Sequence, residues 1–244
     1  MKRLTLILIS SFNIIFSCAS PEGTAKQQTQ LNAKADSIII NVDSFPEHIN
    51  FKPIGFQQIN GTFEYYENDL TEKKYSSVFL SEKEDFIVRY HQISGNNKSD
   101  TLEFNGTLFQ VKGISGFDPL SMEIFHYNSK EQNLILFKGK SGSASGSGVY
   151  NDFFALLNQK DKKSSIAFMS SFFGSEKSFG TCGGTEGELL FLKLKPSLNT
   201  PEMYEAYLYD PFALENALSK LDIEVEYILN RKFSTKSQPL VQCD

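Results

Sequence analysis

The sequence predicts a mainly β fold, an antiparallel barrel or sandwich with one or two short helices. Three observations lead there. Apolar residues fall at every second position in the clearest segment, where Leu221, Ile223, Val225, Tyr227 and Leu229 alternate with Asp222, Glu224 and Glu226. Asn-Gly dipeptides interrupt two β-favouring runs, at 60–61 and 105–106, which is a strong short-range hairpin signal. Phe and Tyr number 22 and 10 of 244 residues and Trp is absent, so the bulky apolar side chains are types that suit a pleated, half-buried surface.

Taken in order, residues 38–42 (IIINV) read as a first strand and residues 51–66 as a hairpin turning at Asn60-Gly61. Residues 75–80 and 86–90 follow as strands, the second with Phe86, Val88 and Tyr90 on one face and Ile87 and Arg89 on the other. Residues 101–111 form a second hairpin around Asn105-Gly106, followed by strands at 122–127 and 134–137. The two Asn-Gly-Thr triplets lie 45 residues apart and the strands after them match at similar offsets, either a duplicated meander or a chance recurrence of the kind any all-β chain produces. Both triplets also match an N-glycosylation acceptor and are read as turns.

Residues 138–148 (KGKSGSASGSG) break the composition, either as a long flexible loop or as a boundary between two halves of the domain near 138–150. Residues 152–158 (DFFALLN) read as a short helix capped by Asn151 or Asp152, and residues 164–173 as a strand. Residues 179–188 are glycine-rich and hold Cys182. Residues 189–194 form a nearly buried strand, Leu189, Phe191 and Lys193 facing opposite to Leu190, Leu192 and Leu194, and residues 203–209 another strand. Pro211 opens a second short helix over 211–219. The last strand, 221–229, has an acidic outer face.

The first 18 residues are of another kind. Lys2 and Arg3 precede a mostly apolar run over 4–16, which has the length of a targeting leader and falls short of the roughly 20 residues of a transmembrane helix. It ends Ile15-Phe16-Ser17-Cys18. Cleavage after Ser17 as a plain secretory site would put bulky Ile15 third from the cut. The run instead resembles the lipobox of bacterial lipoproteins: an aliphatic residue, a variable one, a small one, then Cys. Phe16 departs from the strictest form, and the resemblance covers residues 1–18 only.

The resemblance implies a signal peptide at 1–17 and lipidation of Cys18, with acyl chains such as palmitate holding the protein to a membrane. Two or more chains make such attachment long-lived. Ala19 and Ser20 follow the cysteine where an Asp would mark inner-membrane retention, so the expected address is the bacterial cell envelope, at the outer membrane in a Gram-negative cell. Residues 18–37, poor in large apolar side chains, read as a flexible spacer, and 38–244 as the β-rich domain.

With Cys18 lipidated, Cys182 and Cys243 remain as a candidate disulfide in an oxidising compartment. Closing a loop of roughly 60 residues is worth about 4 kcal/mol in the loop-entropy account. Two free buried thiols are the alternative. Loss of the leader leaves 22 of the 24 basic side chains against 29 acidic ones, a balance that disfavours nucleic acid and anionic lipid heads.

Catalytic patterns fail one by one. Gly139-Lys140-Ser141 lacks the upstream Gly of a phosphate loop, since position 134 is Leu; the segment reads as a flexible or turn-forming loop. Ala144 stands where a nucleophile elbow needs Ser. His48, His91 and His126 are isolated, with no metal-ligand spacing, so their meeting in space is the point to check. Cys182 has no CxxC partner. Asp36, Asp43, Glu82, Glu84 and Asp85 read as solvated turn charges, and Asn96 to Asp100 lack the rhythm of a calcium loop.

The reading is therefore a lipid-anchored envelope protein with a non-catalytic binding or structural role and no cofactor. Its partners are the membrane, through the acyl chains, and an envelope protein, lipid or glycan. One alternative is an exported hydrolase with a carboxylate-based site. Another is a lipid- or glycan-binding module, in which exposed Tyr204, Tyr207 or Tyr209 takes the stacking role of the missing Trp.

Overall fold

Eighteen described strands and one short α-helix make up the chain in the computed structural model. It describes residues 37–65, 77–82, 87–91, 100–104, 106–111, 117–141, 146–160, 163–164, 169–182, 188–200 and 202–236. The expected leader, Cys18, the spacer up to residue 36, Glu84, Asp85, residues 96–99, residues 142–145 and Cys243 lie outside the described residues.

In chain order the elements are β1 (Ser37–Asn41), α1 (Phe45–His48), β2 (Phe51–Pro53), β3 (Gln57–Gln58), β4 (Gly61–Tyr65), β5 (Ser77–Ser81), β6 (Ile87–His91), β7 (Asp100–Phe104) and β8 (Thr107–Val111). Then come β9 (Phe117–Asn128), β10 (Asn133–Ser141), β11 (Asn151–Asn158), β12 (Lys163–Ser164), β13 (Met169–Phe172), β14 (Phe179–Cys182), β15 (Leu190–Pro196), β16 (Met203–Tyr209), β17 (Ser219–Tyr227) and β18 (Lys232–Lys236).

These strands form three open sheets, and every described pairing is antiparallel. A seven-stranded sheet runs β1-β18-β17-β16-β15-β14-β2. A six-stranded sheet runs β12-β11-β10-β9-β3, with β13 also on β11, and a five-stranded sheet is a meander of β4 to β8. The six-stranded sheet is the central layer. Met122, Ile124, Ile135, Phe137, Ala155 and Leu157 on one of its faces pack against Phe79, Val88, Tyr90, Leu102 and Phe104 of the five-stranded sheet. On its other face Phe125, Leu134, Leu136, Phe154 and Leu156 meet Phe179, Phe191 and Tyr209 of the seven-stranded sheet.

This layering explains two runs. Leu134, Ile135, Leu136 and Phe137 are all buried because both faces of β10 are covered. For the same reason residues 152–158, expected as a helix, are the strand β11: its middle, residues 153–157, is apolar without alternation because the strand is covered on both sides. β10 also runs on through Gly139, Lys140 and Ser141, so these three are strand residues rather than a loop. Gly139 faces Phe153 of β11 and lies at an irregularity against β9.

The seven-stranded sheet is curled. Its opposite edges, β1 and β2, are joined by residues 42–50 alone. With 3-10 geometry over Val42–Ser44 and α geometry in α1, that link spans at most about 22 Å. A flat seven-stranded sheet measures about 29 Å from first strand to last. The link fills the inside of the curl: Val42, Phe45, Ile49 and Phe51 are buried with Leu192, Leu194, Leu208, Val225 and Phe233. Pro46 stands in the first turn of α1, where its missing N–H costs nothing, and Asn50 ends the helical segment at φ 59°, a conformation Asn tolerates.

The two Asn-Gly sites differ. At the second, Phe104 pairs with Thr107 and Gly106 between them stands at φ 83°, a tight connection of β7 to β8, while Asn105 lies outside the described residues. Asn60-Gly61 is not a hairpin: β3 pairs with β9, whereas β4 pairs with β5, and the chain changes sheets there. Gly61 is required by closeness, since a Cβ on it would run into the Leu80 carbonyl oxygen and the Phe79 ring. The second expected helix, 211–219, is a series of turns. Asp210 takes up the local donors: its side chain accepts from the Phe212 N–H at 2.8 Å and its carbonyl from the Ala213 N–H at 3.2 Å.

Candidate functional site

Alternation along β15 divides Leu-Phe-Leu-Lys-Leu-Lys between two faces. Leu190, Leu192 and Leu194 enter the core inside the curl. Phe191, Lys193 and Lys195 take the other face, where Phe191 meets the central sheet and the chain then emerges toward solvent. Register sets Tyr209 across from Phe191, Tyr207 across from Lys193 and Glu205 across from Lys195. Lys220 of β17 stands across from Tyr207.

The resulting cluster holds three lysines, two phenols and one carboxylate. The Lys195 ammonium lies 4.5 Å from the centre of the Tyr207 ring and donates to the Tyr209 hydroxyl at 2.5 Å. Lys193 lies 5.9 Å from the Tyr209 ring centre and donates to Ser170 Oγ at 3.5 Å. Glu205 is claimed on its other side: Tyr207 donates to its Oε2, Ser197 donates to its Oε1, and Lys220 pairs with Oε1 at 3.0 Å. Neither Lys193 nor Lys195 is ion-paired with a described carboxylate.

The electrostatics follow. Burial, and then the charge of Lys195, holds the Lys193 ammonium below the usual lysine range. The Tyr207 hydrogen bond, with help from Lys220, holds the Glu205 carboxyl low. The same Glu205 bond holds the Tyr207 phenol and the Lys220 ammonium high. Such a face can attract and hydrogen-bond an anion.

A second constellation surrounds Asp152 at the start of β11. Asp152 is 8 % exposed, and its carboxyl takes no hydrogen bond or ion pair from a described residue. Burial pushes its carboxyl up, with Glu123 adding to the rise and Lys138, Lys140 and Arg231 opposing it. Two of the opposing cations are engaged elsewhere: Lys138 pairs with Glu123 at 2.9 Å and Arg231 with Asp43 at 2.7 Å. Beside it, Phe173 is held at φ 54° with its N–H donating to the Tyr150 carbonyl and its ring stacked 4.4 Å from Tyr227 and 5.1 Å from Tyr150.

The residues singled out in the sequence fall as follows. Tyr207 and Tyr209 belong to the lysine face, while Tyr204 points into the core of the curl. Tyr204 and Tyr209 are only 8 % and 7 % exposed, and lysine covers the Tyr207 ring, so the three do not form an open stacking surface. His126 bonds Asn133 Oδ1 at 3.1 Å and His48 ends α1. Among the described residues no group of three His, Cys, Asp or Glu could hold a metal ion. Asp43 is ion-paired and Glu82 is exposed. Cys182 is buried in β14 and disulfide-bonded, and both other cysteines lie outside the described residues.

Sequence reasoning missed Lys193, Lys195 and Asp152. The signal for the lysines was present as two cations inside an otherwise apolar strand. For Asp152 there was none, because its burial is created by the neighbouring strands. Among the described residues no helix is long and apolar enough to cross a membrane. No family model matches this chain, and no curated protein or solved structure matches it.

Proposed function

We propose that this chain is a bacterial lipoprotein whose β domain serves a non-catalytic binding role at the cell envelope. The observation that carries the binding role is the pair Lys193 and Lys195, without counter-ions among the described residues, on the same face as Tyr207 and Tyr209. Holding half-buried cations with hydroxyl and ring partners but no described counter-ion costs stability, and a ligand that supplies the missing charge offsets that cost. The leader supports the address: Cys18 carries the acyl chains, residues up to 37 act as spacer, and the outer membrane is the site in a Gram-negative cell. The partner is an envelope protein, lipid or glycan. Cys182 pairs with Cys243, tying the C-terminal tail to β14. In architecture, open sheets packed face to face favour the sandwich over the barrel.

Labelling with a radioactive or clickable fatty acid tests the anchor. Wild type is expected to take up label and Cys18→Ala to lose it; equal labelling refutes the anchor. Capture on immobilised envelope extract tests the face, with Lys193→Met and Lys195→Met expected to lose the captured ligand.

A hydrolase is the second reading, favoured by Asp152. A buried carboxyl with a raised proton affinity near a second carboxylate, Glu123, has the character of a general acid. Asp152→Asn and Glu123→Gln separate the two readings: loss of turnover on exported polymers in both variants supports catalysis, and unchanged ligand capture in both supports the lysine face.

A further inference from the structure

We infer that Lys193 and Lys195, with the Tyr209 and Ser170 hydroxyls, form a subsite for a phosphate monoester or inorganic phosphate. This deepens the assignment of the lysine face as the binding face and rests on it.

Four observations lead to it. First, both ammoniums gather about one phenol ring: Lys193 lies 5.9 Å and Lys195 5.1 Å from the centre of Tyr209. Second, the acid that register places opposite Lys195, Glu205, is committed to Tyr207, Ser197 and Lys220, so no described carboxylate neutralises either lysine. Third, the site is partly dry. Phe191 and Tyr209 at its base are buried, and Lys193 itself is only half-exposed. Charge at such a site is screened less than on an open surface. Fourth, each ammonium donates to a hydroxyl, Lys195 to Tyr209 and Lys193 to Ser170, so each hydroxyl hydrogen points away from its ammonium and can donate to an anion.

Charge count selects the ligand. Among the described residues, two cations without a counter-ion leave an excess of two positive charges. A carboxylate or a phosphodiester brings one negative charge and leaves a half-buried cation uncompensated. A phosphate monoester carries about −1.5 to −2 near pH 7 and three acceptor oxygens. Lysine serves phosphate as a point charge and needs no planar fork. The same group can come from a soluble phosphorylated compound or from a phosphomonoester lipid head.

The test is a titration of the full chain with inorganic phosphate at pH 7 and constant ionic strength, read by tyrosine fluorescence, which no Trp obscures. A saturable change is expected in wild type. Lys193→Met and Lys195→Met are each expected to weaken it about tenfold, the loss of one charge-assisted contact, and Lys193→Arg to restore it. A response of equal strength in wild type and both Met variants, or no saturable response, overturns the inference. Melting curves of the variants establish that they fold. Sedimentation with vesicles then finds the source. Wild type retained more than Lys193→Met on phosphatidic acid vesicles, but equally on phosphatidylcholine, supports a lipid head; a phosphate response without that difference supports a soluble ligand. The acyl anchor contributes equally to both chains, so its failure in the Cys18 labelling is a separate result.

Discussion

Phe154 and Phe191 meet nearly edge to face, ring centres 5.9 Å apart, though one belongs to the central sheet and the other to the seven-stranded sheet. Phe179 completes the group, 5.5 Å from Phe154 and 5.0 Å from Phe191. This contact holds two layers together beneath the lysine face, so it sets both stability and the position of the site. Phe154→Ala is expected to cost about 3–5 kcal/mol in urea unfolding. A double-mutant cycle with Phe191→Ala should give a coupling of about 0.5–1.5 kcal/mol. Additive losses would mean that the layers are not joined here.

Three glycines should respond differently to alanine. Gly61→Ala places a Cβ on the Leu80 carbonyl and is expected to lower the melting temperature most. Gly106→Ala has open space but a positive φ, and should cost about 1 kcal/mol. Gly55→Ala has open space and no positive φ, and should be neutral or stabilising by up to about 1 kcal/mol. Thermal melts of the three variants check the order.

Lys193 has a definite pH signature. Its folded-state proton affinity lies below that of the unfolded chain. Folding therefore disfavours its charged form, and the penalty is fully present below the folded pKa. It fades as pH rises toward the unfolded lysine value of about 10.4. Lys193→Met should equal or exceed wild type in stability at pH 7 without phosphate, and the advantage should shrink by pH 10. Urea unfolding at both pH values measures it. A large loss in the variant at pH 7 would show that Lys193 has a stabilising partner.

Asp152 is the acidic counterpart of Lys193. Its carboxyl is raised by burial, so folding disfavours the charged form above the folded pKa. The penalty disappears as pH falls below the unfolded value of about 3.9. Asp152→Asn should be at least as stable as wild type at pH 7 and lose that advantage near pH 3. A less stable variant at pH 7 would mean that Lys138, Lys140 and Arg231 outweigh the burial.

The disulfide at Cys182 is checked by peptide mapping without reductant. A Cys182–Cys243 linked peptide is expected, and reduction should lower stability by about 2–4 kcal/mol. A link from Cys182 to Cys18 would overturn both the pairing and the lipidation of Cys18.

Much of the fold is legible in the sequence wherever one face of a strand is wet. β17 shows this best: Leu221 and Val225 are buried while Asp222 and Glu224 are exposed, as alternation requires. β6 behaves likewise, with Val88 and Tyr90 inside. Legibility fails where both faces are dry. Residues 152–158 carry no alternation, and a short apolar run then reads equally as helix or strand.

The sequence by itself determined the β class, most of the described strand positions, the tight connection at Gly106 and the presence of two lysines within an apolar strand. Each is a local property, set by side-chain period and backbone preference. Only the tertiary structure decided that Asn60-Gly61 passes between sheets, that Tyr204 turns away from Tyr207, that Glu205 is drawn from Lys195 to Lys220, and that Asp152 is buried. Those depend on which strands become neighbours, and the register between distant strands is fixed by packing across layers that no local stretch of chain contains.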